Sequence, residues 1–509
     1  MISLLLKCAG VVFWIAVLGG IGFLLVNKNI YRKTVAEAGK ITWILCAVSI
    51  LLLGALSLKV MSISPLYNGE IPQHRSQYED LTESFFNGHL YLDYEVDEKL
   101  LAMENPYDPQ ARIDNEVPFR WDSAFYQGKY YMYFGVVPVL LLFLPYRLIT
   151  GTALAGYAAT WVFLMIAIAG IYQLFYRFTL RFHKNLPLLL YLLGSFTFSL
   201  MSIWYCIDCP QLYCTAISSA IAMEVWSLCF FFESVYMATK ENKQILLAFF
   251  GALFGALAFG CRPTIALGNL LVIPMMITYF KEKKITGKLV GKLALAASPY
   301  LAVAVGLMIY NFLRFDSPLE FGQAHQLTVA DQHAYSNMFV TLANLGLGNL
   351  LSGLQFCFFN PLHTYVFFPF IDAGGLFFNH PILLANVLMV LPRPLKEMRK
   401  DHTAGLLWMI PVTVLLIAVL DILWTPFLLV RYHMDLNYLL AIGAYASLMY
   451  LHKAYMKEEG MGSRVLAVLL VLAALQNAWL IILPQDSNFT AYYPEMLSLL
   501  SRVFLFWQS

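Results

Sequence analysis

Three acidic side chains in one long hydrophilic segment are candidates for a general base. Glu79 and Asp80 follow Ser76 in the sequence Ser-Gln-Tyr-Glu-Asp-Leu, and Asp122 lies in an aromatic-rich strip that begins at Trp121. A carboxylate there could take a proton from a substrate hydroxyl. Glu79 lies three residues after Ser76, the spacing of a helix capping box, which favours a structural role. For Asp80 and Asp122 both a catalytic and a structural role remain open.

Three arginines lie at or near the ends of apolar segments, where they could bind an anion. They are Arg262 in Gly-Cys-Arg-Pro-Thr, Arg314 in Asn-Phe-Leu-Arg-Phe and Arg431 in Leu-Val-Arg-Tyr-His-Met-Asp. An ionisable group at membrane depth is costly and is therefore a functional candidate. The rigid guanidinium fork matches a phosphate, although snorkelling toward lipid headgroups would explain each arginine taken singly. Three arginines converging on one outer cavity would suit a lipid phosphate.

Metal binding is not predicted from this sequence. His325, Asp331 and His333 could ligate a metal, but they lack the close spacing of a histidine metal motif, and surface histidines are the simpler interpretation. A divalent cation would be compatible with the acidic segment around Asp80, although no motif specifies one.

Three cysteines lie close enough in the sequence to form one disulfide bond. Cys206, Cys209 and Cys214 surround a short turn. On an oxidising face of a membrane, Cys206 could form a disulfide with Cys209 or with Cys214. Nucleotide-binding motifs are missing from the sequence, so ATP-driven transport by this chain alone is not expected.

The composition indicates that the elements which position these residues are membrane helices. Of 509 residues, 60% are hydrophobic and only 13% are charged, whereas a soluble domain carries roughly 25% charged residues. This excludes a soluble, disordered or nucleic-acid-binding protein and predicts an all-α polytopic membrane protein. Apolar runs of about 20 residues predict about twelve transmembrane helices, within a range of 11–13. The predicted spans are 3–26, 41–62, 152–176, 186–204, 213–237, 245–260, 264–280, 293–313, 380–392, 403–423, 433–452 and 464–484.

The distribution of charge predicts the orientation of these helices. Alternate short loops hold 21 of the 33 Lys and Arg residues and only seven acidic residues, and such basic loops face the cytoplasm. Two long loops, 63–134 and about 314–379, then face outward, together with both termini. The first long loop holds 13 acidic and five basic residues, which gives it a net charge of −8.

One apolar segment, residues 133–150, tests this orientation. If it crossed the membrane, Arg177 and its basic neighbours would lie outside, and Pro138 and Pro145 would disrupt a straight helix. We therefore expect an interfacial or re-entrant segment on the outer face. A second apolar stretch, 344–370, is expected along the membrane surface.

The resulting organisation is two helices in 1–62, an extracytoplasmic loop with its juxtamembrane segment in 63–151, helices 3–8 in 152–313, a second extracytoplasmic loop in 314–379, helices 9–12 in 380–484, and an extracytoplasmic tail in 485–509.

The layout resembles the C-superfamily (GT-C fold) of membrane glycosyltransferases, which use polyprenyl-phosphate sugars. The protein O-mannosyltransferases and the lipid A aminoarabinose transferases are examples. The resemblance rests on the loop helix in Gln-Tyr-Glu-Asp-Leu-Thr-Glu-Ser-Phe-Phe-Asn, on the apolar juxtamembrane stretch, and on the pairs Arg262-Pro263 and Arg431-Tyr432. One departure is clear, since the family's acidic residue at the start of the loop helix corresponds to His74-Arg75-Ser76 here.

The resemblance implies transfer of a hexosyl or pentosyl group from a polyprenyl-phosphate donor to an envelope glycan, lipid or protein. The reaction would occur on the extracytoplasmic face of a bacterial plasma membrane, in which the chain is a multi-pass protein. It implies Asp80, and after it Asp122, as the base, unless the chain has lost activity. It implies phosphate binding by Arg431 and Arg262, and less directly by Arg314 and Lys129.

Two other functions remain open on the sequence. A transporter or flippase of a lipid-linked saccharide would need an internal repeat and polar residues at the bilayer midplane, of which Glu224 is the clearest. A catalytically degenerate membrane scaffold would explain the missing acidic residue at the start of the loop helix. The folded outer loop favours glycosyl transfer over transport, whereas the missing acidic residue keeps the scaffold open.

Overall fold

Helices form most of the chain in a computed structural model, which describes residues 2–63, 76–210, 212–281, 283, 286–328, 331, 338–362, 373–424, 429–482 and 494–507. Within these residues, strands are confined to one small sheet. The predicted all-α polytopic class is therefore confirmed. His74, Arg75 and His333 lie outside the described residues.

The helices are numbered here in chain order. The first fourteen are α1 (Ile2–Val26), α2 (Val35–Ala38), α3 (Lys40–Met61), α4 (Gln77–Phe86), α5 (Glu98–Ala102), α6 (Pro109–Asp114), α7 (Leu144–Thr150), α8 (Gly156–Phe182), α9 (Leu188–Asp208), α10 (Leu212–Phe232), α11 (Glu241–Phe259), α12 (Pro263–Ala266), α13 (Val272–Lys281) and α14 (Gly287–Phe315). The others are α15 (Met338–Phe359), α16 (Leu376–Asn379), α17 (Pro392–Lys400), α18 (Ala404–Trp424), α19 (His433–Tyr455), α20 (Met461–Ile482) and α21 (Pro494–Phe504).

Ten helices among the described residues are long and apolar enough to cross a membrane. They are α1, α3, α8, α9, α10, α11, α14, α18, α20 and the run Pro263–Lys281, which contains α12 and α13. Helix α19 is also 23 residues long and lies inside the bundle, with residues 433–441 all buried. The predicted span 380–392 is instead a 3₁₀ helix, Pro381–Val390, of ten residues. At about 2 Å per residue it is too short to cross, and prolines begin both it and the next helix.

The short basic loops gather at one end of the bundle, as the charge pattern predicts. The backbone N–H of Val35 donates to the Leu186 carbonyl over 3.0 Å. Lys453 forms an ion pair with Asp401 over 2.9 Å, so loops that are distant in sequence meet at this end. The long loops lie at the other end, where Gly156 begins α8. Assignment of the basic end to the cytoplasm stays a prediction.

A three-stranded antiparallel sheet joins the two long outer loops. Its strands are β1 (Ser123–Tyr126), β2 (Lys129–Tyr131) and β3 (Gln326–Leu327), in the order β2-β1-β3. Gln127 and Gly128 connect β1 to β2, both with positive φ (49° and 75°), as in a type I′ hairpin turn. Ala124 pairs with Tyr131 on one side and with Gln326 on the other. The sequence predicts short helices in these loops, and the sheet is an additional feature that its pattern does not indicate.

The juxtamembrane segment does not form a span. Residues Val139–Phe143 form a π-helix that continues into α7, and this helix ends at Thr150 after 12 residues. At 1.5 Å per residue, its length is about 18 Å, well under the thickness of a bilayer core. This agrees with the prediction of an interfacial or re-entrant segment. Val137 N–H donates to the Gly260 carbonyl over 3.2 Å, which fixes the segment against the end of α11.

Two peripheral helices complete the described chain. Helix α15 is kinked at Gly346, where φ is 72°. It packs closely on α18 at Gly353, where a Cβ atom, if present, would lie 3.1 Å from the Ile422 side chain. Residues 363–370 of the predicted surface stretch lie outside the described residues. Helix α21 packs beside α1, where the Trp14 indole donates to the Phe504 carbonyl over 3.1 Å. The described part of the tail is therefore a helix held against the bundle.

The close approach at Gly135 predicts a destabilising substitution. In Gly135→Ala, the new Cβ would overlap the carbonyl oxygen of Gly260 and lie 2.6 Å from that of Cys261. Because backbone rather than a flexible side chain must move, we expect a loss of about 1–3 kcal/mol in unfolding free energy. Thermal unfolding in detergent measures this loss. Gly306→Ala is the control, since no atom outside its own helical turns lies within 4 Å of its Cβ position. Equal unfolding temperatures for the two variants would contradict this packing.

Candidate active site at the outer end of the bundle

Asp122 lies at the junction between the outer sheet and the helix bundle. It precedes β1 with φ of +54°, a left-handed conformation that aspartate adopts more readily than most residues. Its backbone N–H donates to the Leu327 carbonyl over 3.1 Å. Its carbonyl accepts from the Gln77 side-chain amide over 2.9 Å. Strand β3 and the start of α4 therefore fix this turn from two sides.

The Asp122 carboxylate is buried and hydrogen-bonded through both oxygens. Oδ1 accepts from Gln326 Nε2 over 2.7 Å, and Oδ2 accepts from the Tyr213 hydroxyl. Burial raises the pKa of Asp122, whereas the hydrogen bond from Gln326 and the charge of Arg431 act in the opposite direction. A carboxylate with a raised pKa is a stronger base than an exposed one.

Arg431 lies beside this carboxylate and is available to bind an anion. It belongs to the 3₁₀ turn Val430–Tyr432 that leads into α19, and its guanidinium carbon lies 3.8 Å from the centre of the Tyr213 ring. Among the described residues, no carboxylate forms an ion pair with Arg431. Tyr213 therefore contacts both groups, with its ring against Arg431 and its hydroxyl on Asp122.

Arg262 has a different environment, because its charge is already neutralised. Its Nε donates to both carboxylate oxygens of Asp435, over 2.9 and 2.8 Å, and Thr264 donates to the same carboxylate over 2.5 Å. The Asp435 side chain is fully buried. Arg262 caps the start of α12, where Pro263 takes the first helical position. This ion pair joins the turn after α11 to the first turn of α19.

The two arginines meet around one aromatic side chain, Tyr432. The guanidinium carbons of Arg262 and Arg431 lie 5.4 and 5.5 Å from the centre of its ring. Tyr133 from the juxtamembrane segment lies in the same cluster, within electrostatic range of Asp122 and both arginines. Burial raises the pKa of Tyr133 well above its ordinary value, so its hydroxyl stays protonated. Two of the three predicted arginines therefore converge with one predicted acid.

The third arginine, Arg314, anchors the end of α14 to the outer layer. It donates to the Met132 carbonyl over 2.6 Å and to Asn311 Oδ1 over 2.8 Å, and its guanidinium lies 3.9 Å from the Tyr310 ring centre. Only 4% of the residue is exposed. Because its guanidinium is buried and bonded to groups of the protein, the structure lends no support to a phosphate-binding role for Arg314.

The remaining predicted residues have contacts elsewhere in the outer loop. Glu79 accepts from the backbone of Ser76 and, over 3.0 Å, from Gly156 N–H, so it caps α4 and ties it to the start of α8. Asp80 accepts from the Tyr94 hydroxyl over 2.7 Å.

Lys129 is exposed, and its ammonium lies 4.2 Å from the Tyr91 ring centre. It has no described contact with the residues around Arg431. The geometry therefore favours Asp122 over Asp80 as the base and gives Lys129 no part in the cluster, although both roles stay predictions.

Sequence reasoning missed two residues that complete this cluster. Asp435 lies four residues after Arg431, and a buried acid at the start of an apolar helix is a recognisable functional signal. Tyr213 carried no such signal, because one tyrosine at the start of an apolar helix is common at a membrane interface. Its importance follows from tertiary contacts alone.

Neither a metal site nor a disulfide is present among the described residues. No group of three or more His, Cys, Asp or Glu residues there could hold a metal ion. His325 Nδ1 lies 3.1 Å from the Tyr107 hydroxyl. Cys206, Cys209 and Cys214 form no disulfide. The site as described therefore consists of carboxylate, guanidinium and tyrosine groups.

Comparison with known proteins leaves the family open. No family model matches this chain, and no curated protein matches it. Among solved structures, the chain is similar to the apo-form oligosaccharyltransferase of Archaeoglobus fulgidus, with a TM-score of 0.42 and 12% sequence identity. The alignment covers 89% of this chain and 59% of that one. This chain therefore spans less than two thirds of the length of that protein.

The different environments of the two arginines predict different costs of substitution. In Asp435→Leu, Arg262 loses its buried partner, so we expect a loss of about 3–5 kcal/mol in unfolding free energy. Replacing both, in Arg262→Met with Asp435→Leu, removes the uncompensated charge and should recover much of that loss. Arg431→Met should cost less than about 1 kcal/mol, because it breaks no ion pair. Thermal unfolding of the unsubstituted protein and the three variants measures these losses of unfolding free energy. Similar losses in Asp435→Leu and Arg431→Met would disprove that Arg262 is ion-paired and Arg431 is not.

Proposed function

We propose that this protein is a membrane glycosyltransferase of the GT-C type. It would transfer a sugar from a polyprenyl-phosphate donor to a cell-envelope acceptor on the extracytoplasmic face. One observation carries the proposal: a buried carboxylate, Asp122, and an arginine without an ion pair in the described chain, Arg431, contact the same side chain, Tyr213. This arrangement combines a base for a hydroxyl with a cation for a phosphate.

The position of the cluster supports a donor that is anchored in the membrane. Arg431 precedes the buried helix α19, and Tyr213 belongs to the first turn of the spanning helix α10. A phosphate on a polyprenyl chain would reach this level, because it lies at the boundary between the apolar tail and water. The cluster also lies at the end of the bundle opposite the basic loops, which agrees with chemistry on the extracytoplasmic side.

The proposed reaction is a single displacement at the anomeric carbon. The acceptor oxygen forms a bond to that carbon while the bond from the carbon to the phosphate oxygen breaks. The bonding electron pair leaves with the polyprenyl phosphate, whose added negative charge Arg431 stabilises. The proton of the acceptor hydroxyl moves to Asp122. Arg262 would contribute mainly by holding Tyr432 and α19 in place, since Asp435 neutralises its charge.

Substitution of the two central residues tests this proposal. The assay measures release of polyprenyl phosphate from a panel of polyprenyl-phosphate sugars, with membrane extract supplying the acceptor. We expect Asp122→Asn to lose about 10²–10⁴-fold in turnover, because the base is removed. Arg431→Gln should lose about 10²–10³-fold, because a transition-state contact is removed. Asp80→Asn and Lys129→Gln are matched controls and should stay within a few-fold of the unsubstituted protein.

Each other result has a defined meaning. Loss of turnover in Asp80→Asn with retention in Asp122→Asn would move the base to Asp80. Full activity in both Asp122→Asn and Arg431→Gln would disprove the site. Absence of turnover on every donor, with an extract shown to contain acceptor, would reject glycosyl transfer and leave transport or a degenerate scaffold.

The two contacts of Tyr213 can be separated by a pair of variants. Tyr213→Phe keeps the ring against Arg431 but removes the hydrogen bond to Asp122. Because that bond favours the ionised carboxylate, its loss raises the pKa of Asp122, and the acid limb of the kcat profile should move to higher pH. Gln326→Leu should act in the same direction through Oδ1. Tyr213→Leu removes the ring as well, so KM for the donor should also rise.

Rate measurements between pH 5 and 9 check this expectation. The sign follows from the chemistry, since activity requires the ionised carboxylate and is lost as the pH falls through its pKa. An unmoved acid limb in both Tyr213→Phe and Gln326→Leu would show that Asp122 does not control the rate.

A further inference from the structure

Trp121 is a large aromatic side chain that stays half exposed beside the proposed base. It is the only tryptophan in the sequence of the two long outer loops. Of its surface, 51% is exposed, whereas Asp122, the next residue, is only 8% exposed. Tryptophan usually covers most of its surface in packing or in binding. An exposed indole next to a proposed catalytic carboxylate is therefore a candidate for contact with a substrate.

The backbone on both sides of Trp121 is fixed, so its exposure does not come from a loose loop. The backbone N–H of Arg120 donates to the Tyr130 hydroxyl over 3.2 Å. The backbone N–H of Asp122 donates to the Leu327 carbonyl over 3.1 Å. An aromatic ring on a backbone that is already fixed loses little conformational entropy when a ligand binds to it.

The Trp121 side chain also acts on the base itself. Burial raises the pKa of Asp122, and a hydrogen bond from the Trp121 side chain is among the interactions that lower it. The indole N–H is therefore directed toward the carboxylate, and the face of the ring remains for a substrate. The two residues are consecutive, so their Cα atoms lie about 3.8 Å apart. A ring stacked on the indole would thus have a hydroxyl within reach of Asp122.

Trp121 belongs to a different layer of the molecule from the proposed phosphate site. It lies in the outer loop, whereas Arg431 belongs to the turn before α19 and has its ring contacts with Tyr213 and Tyr432. In a single displacement, the acceptor approaches the anomeric carbon from the side opposite the leaving phosphate. The position of Trp121 therefore suits the acceptor better than the donor.

The surroundings of Trp121 favour a saccharide as its ligand. The exposed residues that precede it, among them Glu116, Pro118 and Arg120, do not form the continuous apolar surface that an acyl chain requires. The C–H face of a sugar ring can stack on the electron-rich face of an indole while the hydroxyls stay hydrated. The first outer loop has a net charge of −8, which disfavours an anionic acceptor.

We propose that Trp121 binds the acceptor and that the acceptor is an uncharged glycan, one sugar ring of which stacks on the indole. The inference rests on the proposed function, because it takes Asp122 as the base. It narrows the acceptor from a glycan, lipid or protein to a saccharide. The stacked ring brings one hydroxyl to Asp122, and this hydroxyl is the nucleophile of the displacement described above.

The first test compares the KM values for donor and acceptor. The acceptor is a water-soluble glycan fraction, released from membrane extract and freed of lipid and protein. Trp121→Leu should raise KM for this acceptor about 10–100-fold, because stacking is lost, and should leave KM for the donor unchanged. Trp121→Tyr keeps an aromatic face, so its acceptor KM should stay within a few-fold of that of the unsubstituted protein.

Trp408→Leu is the matched control. Trp408 is 45% exposed, and it lies on α18 near the opposite end of the bundle. The same substitution there should change neither KM. Because KM does not depend on the fraction of folded protein, partial misfolding of a variant does not obscure the comparison.

Binding of the acceptor can also be measured without turnover. Titration with the glycan fraction should change the tryptophan fluorescence of the unsubstituted protein, and this change should be absent in Trp121→Tyr.

Three results would overturn the inference while leaving glycosyl transfer in place. The first is an unaltered acceptor KM in Trp121→Leu. The second is transfer only to the lipid or the protein fraction of the extract. The third is an equal rise in both KM values, which would show that Trp121 anchors the loop at the membrane interface. Absence of turnover with every donor would instead reject the proposed function, and this inference with it.

Discussion

The ion pair between Arg262 and Asp435 is the interaction on which the outer end of the helix bundle depends. Both charges lie in a medium of low dielectric constant, where either one alone would be strongly destabilising. The pair joins the turn after α11 to the first turn of α19, and Thr264 holds the same carboxylate from a third direction. Arg431 lies two residues before α19, so its position follows from this pair. Helix α19, which this pair fixes in place, also contains the buried polar residues His433 and Asn437.

The site keeps one positive and one negative charge close together without joining them. Asp122 and Arg431 form no direct ion pair, and Tyr213 lies between them with a different part of its side chain on each. A direct ion pair would have lowered the basicity of the carboxylate and occupied the guanidinium. The tyrosine therefore keeps the carboxylate and the guanidinium apart, whereas direct contact would neutralise both charges. In contrast, Arg262 and Asp435 make full contact, and their pairing gives rigidity.

Much of the fold was predictable because a bilayer leaves few solutions for an apolar chain. Hydropathy located the long helices, and alternation of basic loops correctly grouped the loops at the two ends. The prediction of a span at 380–392 was wrong, because apolar composition alone does not show that prolines at both ends shorten the helix. The sheet was missed because β3 has only two residues, and its pairing with Ser123 depends on residues about 200 positions away in the chain. For the site, residue type identified Asp122, Arg262 and Arg431 as candidates, but only their contacts separate the neutralised arginine from the available one.

The pairing of β3 with β1 has a consequence for the order of events during synthesis. Asp122 is translated long before Leu327, the residue whose carbonyl holds its turn, and all of α8 to α14 must enter the membrane between them. Arg431 follows about another hundred residues later. A nascent chain therefore contains the acidic loop well before the groups that organise it have been synthesised. Long-range closure of this kind is slow, so the loop stays unassembled until its distant partners have been made.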